Sequence, residues 1–222
     1  MQDKGYLVVF DVDGTLVDSQ SQIMTAMQKA FKTIDLPLPT RDEILSTVGL
    51  SLDEAFVYLL PNTQSEIRKR CAEVYKTSFA EARSTGSRPE FYPGMLKVLT
   101  GLKKDPNCLL GIATGKSRRG LNALLESHDM TSWFSTLQVA DDHPSKPDPS
   151  MIWAALDETG IAVNRCVLVG DTSFDIDMDR SAGVFAIGVG WGYHANMRLA
   201  SADRLVYQAS DLLKTINEVV RK

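Results

Sequence analysis

Tyr6-Leu7-Val8-Val9-Phe10-Asp11-Val12-Asp13-Gly14-Thr15-Leu16 joins a short apolar run to two carboxylates and a turn. The run 6–10 is rich in β-branched and aromatic residues, which reads as a buried strand. Asp11 and Asp13 stand two residues apart, so in extended backbone they point the same way. Both would leave the carboxyl end of a core strand, where open α/β sheets bind ligands. Like charges this close repel, and they persist only with a cation, a shared proton or hydrogen bonds to hold them. A site that binds Mg²⁺ and attacks phosphate would supply that cation.

Outward from this junction, strand-like runs recur at 108–113, 135–140, 165–169 and 184–189, with a weaker one at 204–207. Helical segments separate them, and that alternation predicts a mainly parallel, doubly wound sheet of the Rossmann-like kind. Asp148-Pro149 offers an N-cap followed by proline at the first helical position, and Gly160 closes that helix. Ser117 opens another helix, and Gly183 ends the one before 184–189.

Between 17 and 92 the rhythm changes, with no convincing strand. Ile23, Met27, Ala30, Phe31 and Ile34 follow helical spacing, continued by Ile67, Cys71, Val74 and Phe79. Thr40-x-x-Glu43, Ser51-x-x-Glu54 and Thr63-x-x-Glu66 each have the form of a capping box. An all-helical insert over 17–92 is expected, interrupting an α/β core made of 1–16 and 93–222.

The 222 residues are ample for such a core and insert. With 44% hydrophobic and 23% charged residues the chain has an ordinary globular balance. Its net charge of −4 carries no basic block, which argues against a nucleic-acid partner. The apolar runs are far short of a membrane span, and residues 1–10 lack a signal-peptide pattern, so a cytoplasmic enzyme without membrane partners is expected. Cys71, Cys108 and Cys166 are odd in number and widely spaced, which excludes a disulfide framework or zinc signature.

Four elements that follow predicted strands carry the chemistry. The first is Asp11/Asp13. The second is Ile112-Ala113-Thr114-Gly115-Lys116, which delivers a hydroxyl and a glycine amide that an anion can approach closely. The third is Ser145-Lys146-Pro147-Asp148-Pro149, a lysine on a proline-flanked loop. The fourth is Gly170-Asp171-Thr172-Ser173-Phe174-Asp175. Together they supply a nucleophile, an acid/base, anion donors and a fixed cation, the inventory of phosphoryl transfer.

In order and spacing, DVDGTLVDS at 11–19, ATGK at 113–116, SKPDP at 145–149 and GDTSFDIDMDRSAG at 170–183 resemble the haloacid dehalogenase-like superfamily. The resemblance covers essentially the whole chain, and it is to the superfamily's phosphoglycolate phosphatase branch, which carries a helical cap where 17–92 lies here. It implies Asp11 as the nucleophile that forms an aspartyl-phosphate and Asp13 as the general acid/base. Thr114, the Gly115 amide and Lys146 would hold the phosphoryl oxygens. Asp171 would bind Mg²⁺ with the Asp11 carboxylate and the Asp13 backbone carbonyl, supported by Asp175. The presence of Asp13 argues for phosphate chemistry and against carbon–halogen cleavage. The resemblance implies a small phosphorylated metabolite as the partner, with 2-phosphoglycolate the first substrate to try. A phosphomutase with the same four elements, or a non-catalytic protein on the same fold, are the alternatives. Either a monomer or a homodimer is compatible with the sequence.

Other residues stand outside those elements. Gly49 falls in a stretch resembling the cap loop that faces the site in capped relatives, which makes it a specificity candidate. Lys116 and Arg118 come just after the second element, where either contact with a substrate carboxylate or a surface pair at a helix start fits them. His128, His143 and His194 have no partners at ligand spacing, so loop or surface roles are expected. Asp177-Met178-Asp179-Arg180 reads as a helix face turned to solvent. Gly188-Val189-Gly190-Trp191-Gly192 reads as a turn after the last core strand.

Overall fold

The computed structural model describes residues 5–220; residues 1–4 and 221–222, the outer ends of the expected core, lie outside them. Strand β1 (Tyr6–Phe10) sits at the centre of a parallel sheet between β4 (Cys108–Thr114) and β6 (Cys166–Gly170). The sheet is extended by β5 (Thr136–Val139) beyond β4, and by β7 (Phe185–Val189) and β8 (Arg204–Val206) beyond β6, giving the order β5-β4-β1-β6-β7-β8. All five residues of β1 are buried. Tyr6, Val8 and Phe10 enter one hydrophobic core, whereas Leu7 and Val9 enter another on the opposite face. Burial on both faces explains why the strand reads as an unbroken apolar run.

Helices α5 (Met95–Lys103), α6 (Arg118–Ser127) and α9 (Ala209–Val220) cover the first face. The second is covered by α7 (Ser150–Thr159) and α8 (Ser173–Ala182). This is the doubly wound sheet expected from the alternation of elements. The chain turns to one side of β1 for β4 and β5, then crosses to the other for β6. The carboxyl end of β1 is therefore the switch point, where such sheets open a crevice for ligands.

The segment that interrupts the alternation is helical: α1 (Gln20–Thr33), α2 (Arg41–Leu45), α3 (Leu52–Leu59) and α4 (Ser65–Ser84). Ile23, Met27 and Phe31 of α1 meet Phe56 and Cys71 in a core of their own. Each large apolar side chain buried there contributes about 1.5–3 kcal/mol. At the two ends of the insert, β2 (Val17–Asp18) pairs antiparallel with β3 (Glu90–Phe91), short strands without the length to show in the sequence.

Of the three expected capping boxes, Thr40 and Glu43 form one, and Ser51 caps α3 without the reciprocal bond from Glu54. Thr63 does not cap α4, which starts at Ser65 after Gln64, while Glu66 accepts from Ser65. Pro149 is the N-cap of α7, one residue later than expected, and Asp148 instead accepts from the Ser150 amide. Gly160 and Gly183 close their helices in the left-handed region. Among the described residues no helix is long and apolar enough to cross a membrane.

Candidate active site

Asp11 comes directly after the last residue of β1, where its amide donates to Val169 of β6 at 2.9 Å. Thr114 ends β4, and Asp171 stands just past the end of β6. The loop after β5 brings in Lys146. Parallel pairing therefore sets three strand ends level and delivers residues as far apart as Asp11 and Asp171 to one place. Asp11, Thr114, Lys146, Asp171 and Asp175 are all buried, the last two completely.

Lys146 lies between two carboxylates. Its Nζ stands 2.7 Å from Asp11 Oδ1 and 2.6 Å from Asp175 Oδ1. Asp175 Oδ2 accepts from the Thr172 amide and hydroxyl, closing a capping box at the start of α8. Asp171 Oδ1 accepts from Thr15 Oγ1 at 2.7 Å, and Oδ2 from the Tyr193 amide at 2.8 Å. Asp11 Oδ2 is buried and has no hydrogen-bond partner.

Burial pushes the Asp11 carboxyl up to about 7; Lys146 opposes the rise, and Asp175 adds to it. Burial also raises Asp171, reinforced by Asp11 and Asp175. For Lys146 burial favours the neutral amine, but the two carboxylates outweigh it and hold the ammonium above its ordinary range. One ammonium among three carboxylates leaves two net negative charges in a buried site when all are ionised.

Oxygen atoms of Asp11, Asp171 and Asp175 come within 4.8 Å of one another. A hard divalent cation fits this donor set, because carboxylate oxygens suit Mg²⁺ and its charge balances the excess. Asp11 Oδ1 and Asp171 retain lone pairs beside their hydrogen bonds, so both can ligate a cation while Asp11 Oδ2 stays free. Asp175 has both oxygens engaged, so in this arrangement it holds Lys146 and the start of α8.

Asp13 is not part of that cluster. Its carboxylate accepts from the Ser19 hydroxyl and lies 2.8 Å from Lys116 Nζ. Both side chains, with Asp11, Thr114 and Gly115, line a cavity of about 1260 Å³ between the sheet edge and the insert. Tyr75 and Phe79 of α4 line its far wall. Lys116 Nζ sits 5.3 Å from the centroid of the Phe79 ring. Arg118, by contrast, turns away to Asp142 at 2.6 Å.

Direct contacts hold the insert on the core. A Cβ on Gly115 would collide with the Leu50 carbonyl oxygen, so glycine is what lets the insert loop pass over the end of β4. Gly49 has φ +101° and packs against the Thr172 side chain, which places the candidate specificity loop over the start of α8. The Ser51 amide donates to Ser145 Oγ at 2.8 Å, one residue from Lys146.

His194 lies in a loop, one of the two places expected for it, but it is buried rather than on the surface. Its Nδ1 accepts from the Ser173 amide and its Nε2 lies 3.1 Å from the Ser46 carbonyl, so one neutral ring bridges core and insert. Burial pushes this imidazole down to about 4, with Arg198 adding to the shift. Asp179 likewise departs from the solvent-facing reading. Asp177 and Arg180 are exposed, but Asp179 is fully buried with both oxygens unpartnered, and burial raises its carboxyl strongly. Position 179 lies on the inner face of α8, where Met178 and Ala182 meet the sheet. Gly190–Gly192 form the expected turn after β7, and the weaker run expected at 204–207 forms β8, the edge strand of the same sheet.

Thr15, Ser19, Tyr193 and Ser145 are parts of the site that sequence reasoning did not single out for a role. Thr15 and Ser19 lie inside the quoted 11–19 stretch, so their proximity was open to view. Tyr193 donates through its amide to Asp171 and accepts the Ser19 amide on its hydroxyl at 2.9 Å, a pairing of residues 174 positions apart.

The site is thus a set of carboxylates and a lysine at the switch point of a doubly wound sheet, under a helical insert. Residues 8–189 match the haloacid dehalogenase-like hydrolase family, and the chain belongs to it. It is 35% identical over 217 residues to a Dickeya dadantii protein named "Probable phosphatase IndB", covering 96% of this chain and 91% of that one. The phosphoglycolate phosphatase of Photorhabdus laumondii is 28% identical over 216 residues, 94% of this chain and 91% of its own length. A Bacteroides fragilis structure described as a haloacid dehalogenase-like hydrolase superposes with a TM-score of 0.84 at 26% identity, covering 94% of this chain and all of that one. The expectation of a haloacid dehalogenase-like enzyme with phosphatase relatives is met.

Proposed function

We propose that the chain is a Mg²⁺-dependent phosphatase that hydrolyses a small phosphomonoester through an aspartyl-phosphate on Asp11, with 2-phosphoglycolate its first candidate substrate. The observation that carries this reading is the unequal treatment of the two Asp11 oxygens. Lys146 fixes Oδ1, while Oδ2 is bare, buried and part of a cavity-lining residue. An oriented carboxylate with one free oxygen is what in-line attack on phosphorus requires.

The balance of the reaction rests on these positions. Asp11 Oδ2 forms a bond to phosphorus as the ester P–O bond breaks, and Asp13 gives its proton to the departing alcohol. Water then attacks the same phosphorus while Asp13 takes its proton, and the bond to Asp11 breaks to release phosphate. Thr114, the Gly115 amide and Lys146 hold the phosphoryl oxygens. Mg²⁺ bound by Asp11, Asp171 and the Asp13 carbonyl would neutralise charge on those oxygens. Asp175 positions Lys146.

We also take 17–92 to act as a cap, hinged where β2 pairs with β3. Its closed contacts at Gly115, Ser145 and Ser173 exclude water, and its opening admits substrate and releases product.

Release of free phosphate from 2-phosphoglycolate, sugar phosphates, nucleoside monophosphates and pyrophosphate, with Mg²⁺ or with EDTA, tests the reading. Mg²⁺-dependent release is expected, strongest for a small phosphomonoester. Conversion of β-glucose 1-phosphate to glucose 6-phosphate without free phosphate would indicate a mutase. Silence from folded, metal-supplied protein would overturn the proposal.

A further inference from the structure

One cation lies deep in the catalytic cavity without contact to the buried carboxylate cluster. Lys116 comes after the Thr114-Gly115 turn, and its side chain is only 13% exposed. Its ammonium is 2.8 Å from the carboxylate of Asp13 and rests over the Phe79 ring of α4. Core and insert therefore fix its position together.

Most other cations on the cavity wall lie nearer solvent. Lys76 meets Glu73, and Arg88 meets Glu90 and the Ser127 carbonyl, all with exposed side chains. Arg119 is exposed, Arg118 belongs to Asp142, and Arg83 lies half-buried in the last turn of α4, away from Asp13's ion pair. Lys116 is thus the cation at the inner end, beside the residue that serves the departing oxygen.

That position has a chemical consequence. Asp13 must touch the ester oxygen to hand it a proton, so the first two or three atoms of the alcohol pass beside the Lys116 ammonium. An ammonium carries three N–H donors, and Asp13 does not exhaust them. A face-on aromatic ring stabilises the cation without using a donor. A half-shielded cation with donors to spare disfavours a neutral alcohol beside it and favours one that carries its own negative charge.

We propose that Lys116, seated on Phe79, is the specificity residue for a carboxylate one or two carbons from the ester oxygen. The inference rests on the phosphatase reading for the identity of the departing group and deepens it. The insert contributes selectivity through Phe79, without reaching the phosphoryl group.

The test compares 2-phosphoglycolate with ethyl phosphate, which replaces the carboxylate by a methyl group. The wild-type enzyme should favour 2-phosphoglycolate by roughly 30–100-fold in kcat/KM, the value of one charge-assisted hydrogen bond. Lys116→Met should bring that ratio to within about threefold of unity, and Lys116→Arg should retain most of it. Because Lys116 also touches Asp13, the readout is the ratio, not either rate alone.

Calorimetric binding of the two esters to Asp11→Asn protein, with and without Lys116→Met, should show the ratio of dissociation constants falling in parallel. Equal hydrolysis of both esters by wild type, or an unchanged ratio in Lys116→Met, overturns the inference and leaves the phosphatase reading standing. Hydrolysis of neither ester, nor of any other phosphomonoester, overturns both.

Discussion

The two walls of the cavity are built on different physical terms. On the core side, Asp11, Lys146, Asp171 and Asp175 are buried, held by strand ends whose register is fixed by the sheet. On the insert side, Tyr75, Phe79 and the Gly49–Ser51 loop meet the core through single hydrogen bonds, a backbone approach and one cation–ring contact. A rigid, charge-crowded floor suits a reaction that needs atoms placed to a fraction of an ångström. A roof held by a few weak contacts suits a part that must open and that tunes which substrate enters. Charge removed from the floor should therefore abolish turnover, and contacts removed from the roof should only modulate it.

The largest effect should come from Asp11→Asn. The amide cannot attack phosphorus, so kcat should fall by roughly 10⁴-fold or more. The same change should stabilise the metal-free protein at pH 8. Burial raises the Asp11 carboxyl from 3.8 to about 7, so its ionised form is unfavourable in the native state. Between those two values the folded chain holds more protons than the unfolded chain, and this group's contribution to stability falls as pH rises. Phosphate release and a thermal melt with EDTA check both halves. Near-normal kcat would break the contrast at its strongest point.

Mg²⁺ should act on the floor alone, and its effect should depend on pH. At a concentration 100-fold above its dissociation constant a ligand that binds only the folded state stabilises by about 2.7 kcal/mol. Below about pH 7 a proton competes for Asp11, so the gain in melting temperature should be larger at pH 8 than at pH 5.5. Melts with Mg²⁺ and with EDTA at the two pH values measure the difference. An equal gain at both would detach the metal from the buried carboxylates.

The same division explains what the sequence could reveal. The floor was legible because its parts are local: each candidate sits at the end of an apolar run, and runs buried on both faces are conspicuous. Asp11, Thr114 and Asp171 are found by reading the residue at each strand's carboxyl end. Parallel pairing, a property of the fold class, then gathers them. The roof was not legible in this way. That Phe79 would meet Lys116, or Ser51 meet Ser145, depends on how α1–α4 dock on the sheet, and helical spacing does not distinguish a core-facing residue from a cavity-facing one.

Asp179 was misread for a related reason. Acidic residues at 177 and 179 look like one solvated stretch, yet they are about 200° apart around a helix of 3.6 residues per turn. Position 179 falls on the side of Met178 and Ala182, so its carboxyl is buried with them. His194 lacked neighbours at ligand spacing because its partners, Ser173 and Ser46, are 21 and 148 positions away.

His194 offers the smallest and most selective test of the roof. Its two hydrogen bonds tie the start of α8 to the C-cap of α2: Nε2–H donates to Ser46, and Nδ1 accepts from Ser173 only while the ring is neutral. Protonation at Nδ1 would set a donor against the Ser173 N–H donor. Removal of the ring in His194→Ala should cost about 1–2 kcal/mol at pH 7.5, for two hydrogen bonds with neutral partners. Turnover should change far less than in Asp11→Asn, because no group of the floor touches this ring.

The pH dependence gives the sign. Burial lowers the imidazole from 6.5 to about 4. Between those values the unfolded chain holds more protons, so the stabilisation is complete above pH 6.5 and is lost as pH falls. The loss is at most about 1.4 kcal/mol per pH unit, so the advantage of wild type over His194→Ala should vanish near pH 5. Urea midpoints for the two proteins at pH 7.5, 6 and 5 should therefore converge. Parallel curves would mean that the ring is not held neutral between core and insert, and that the roof is fastened elsewhere.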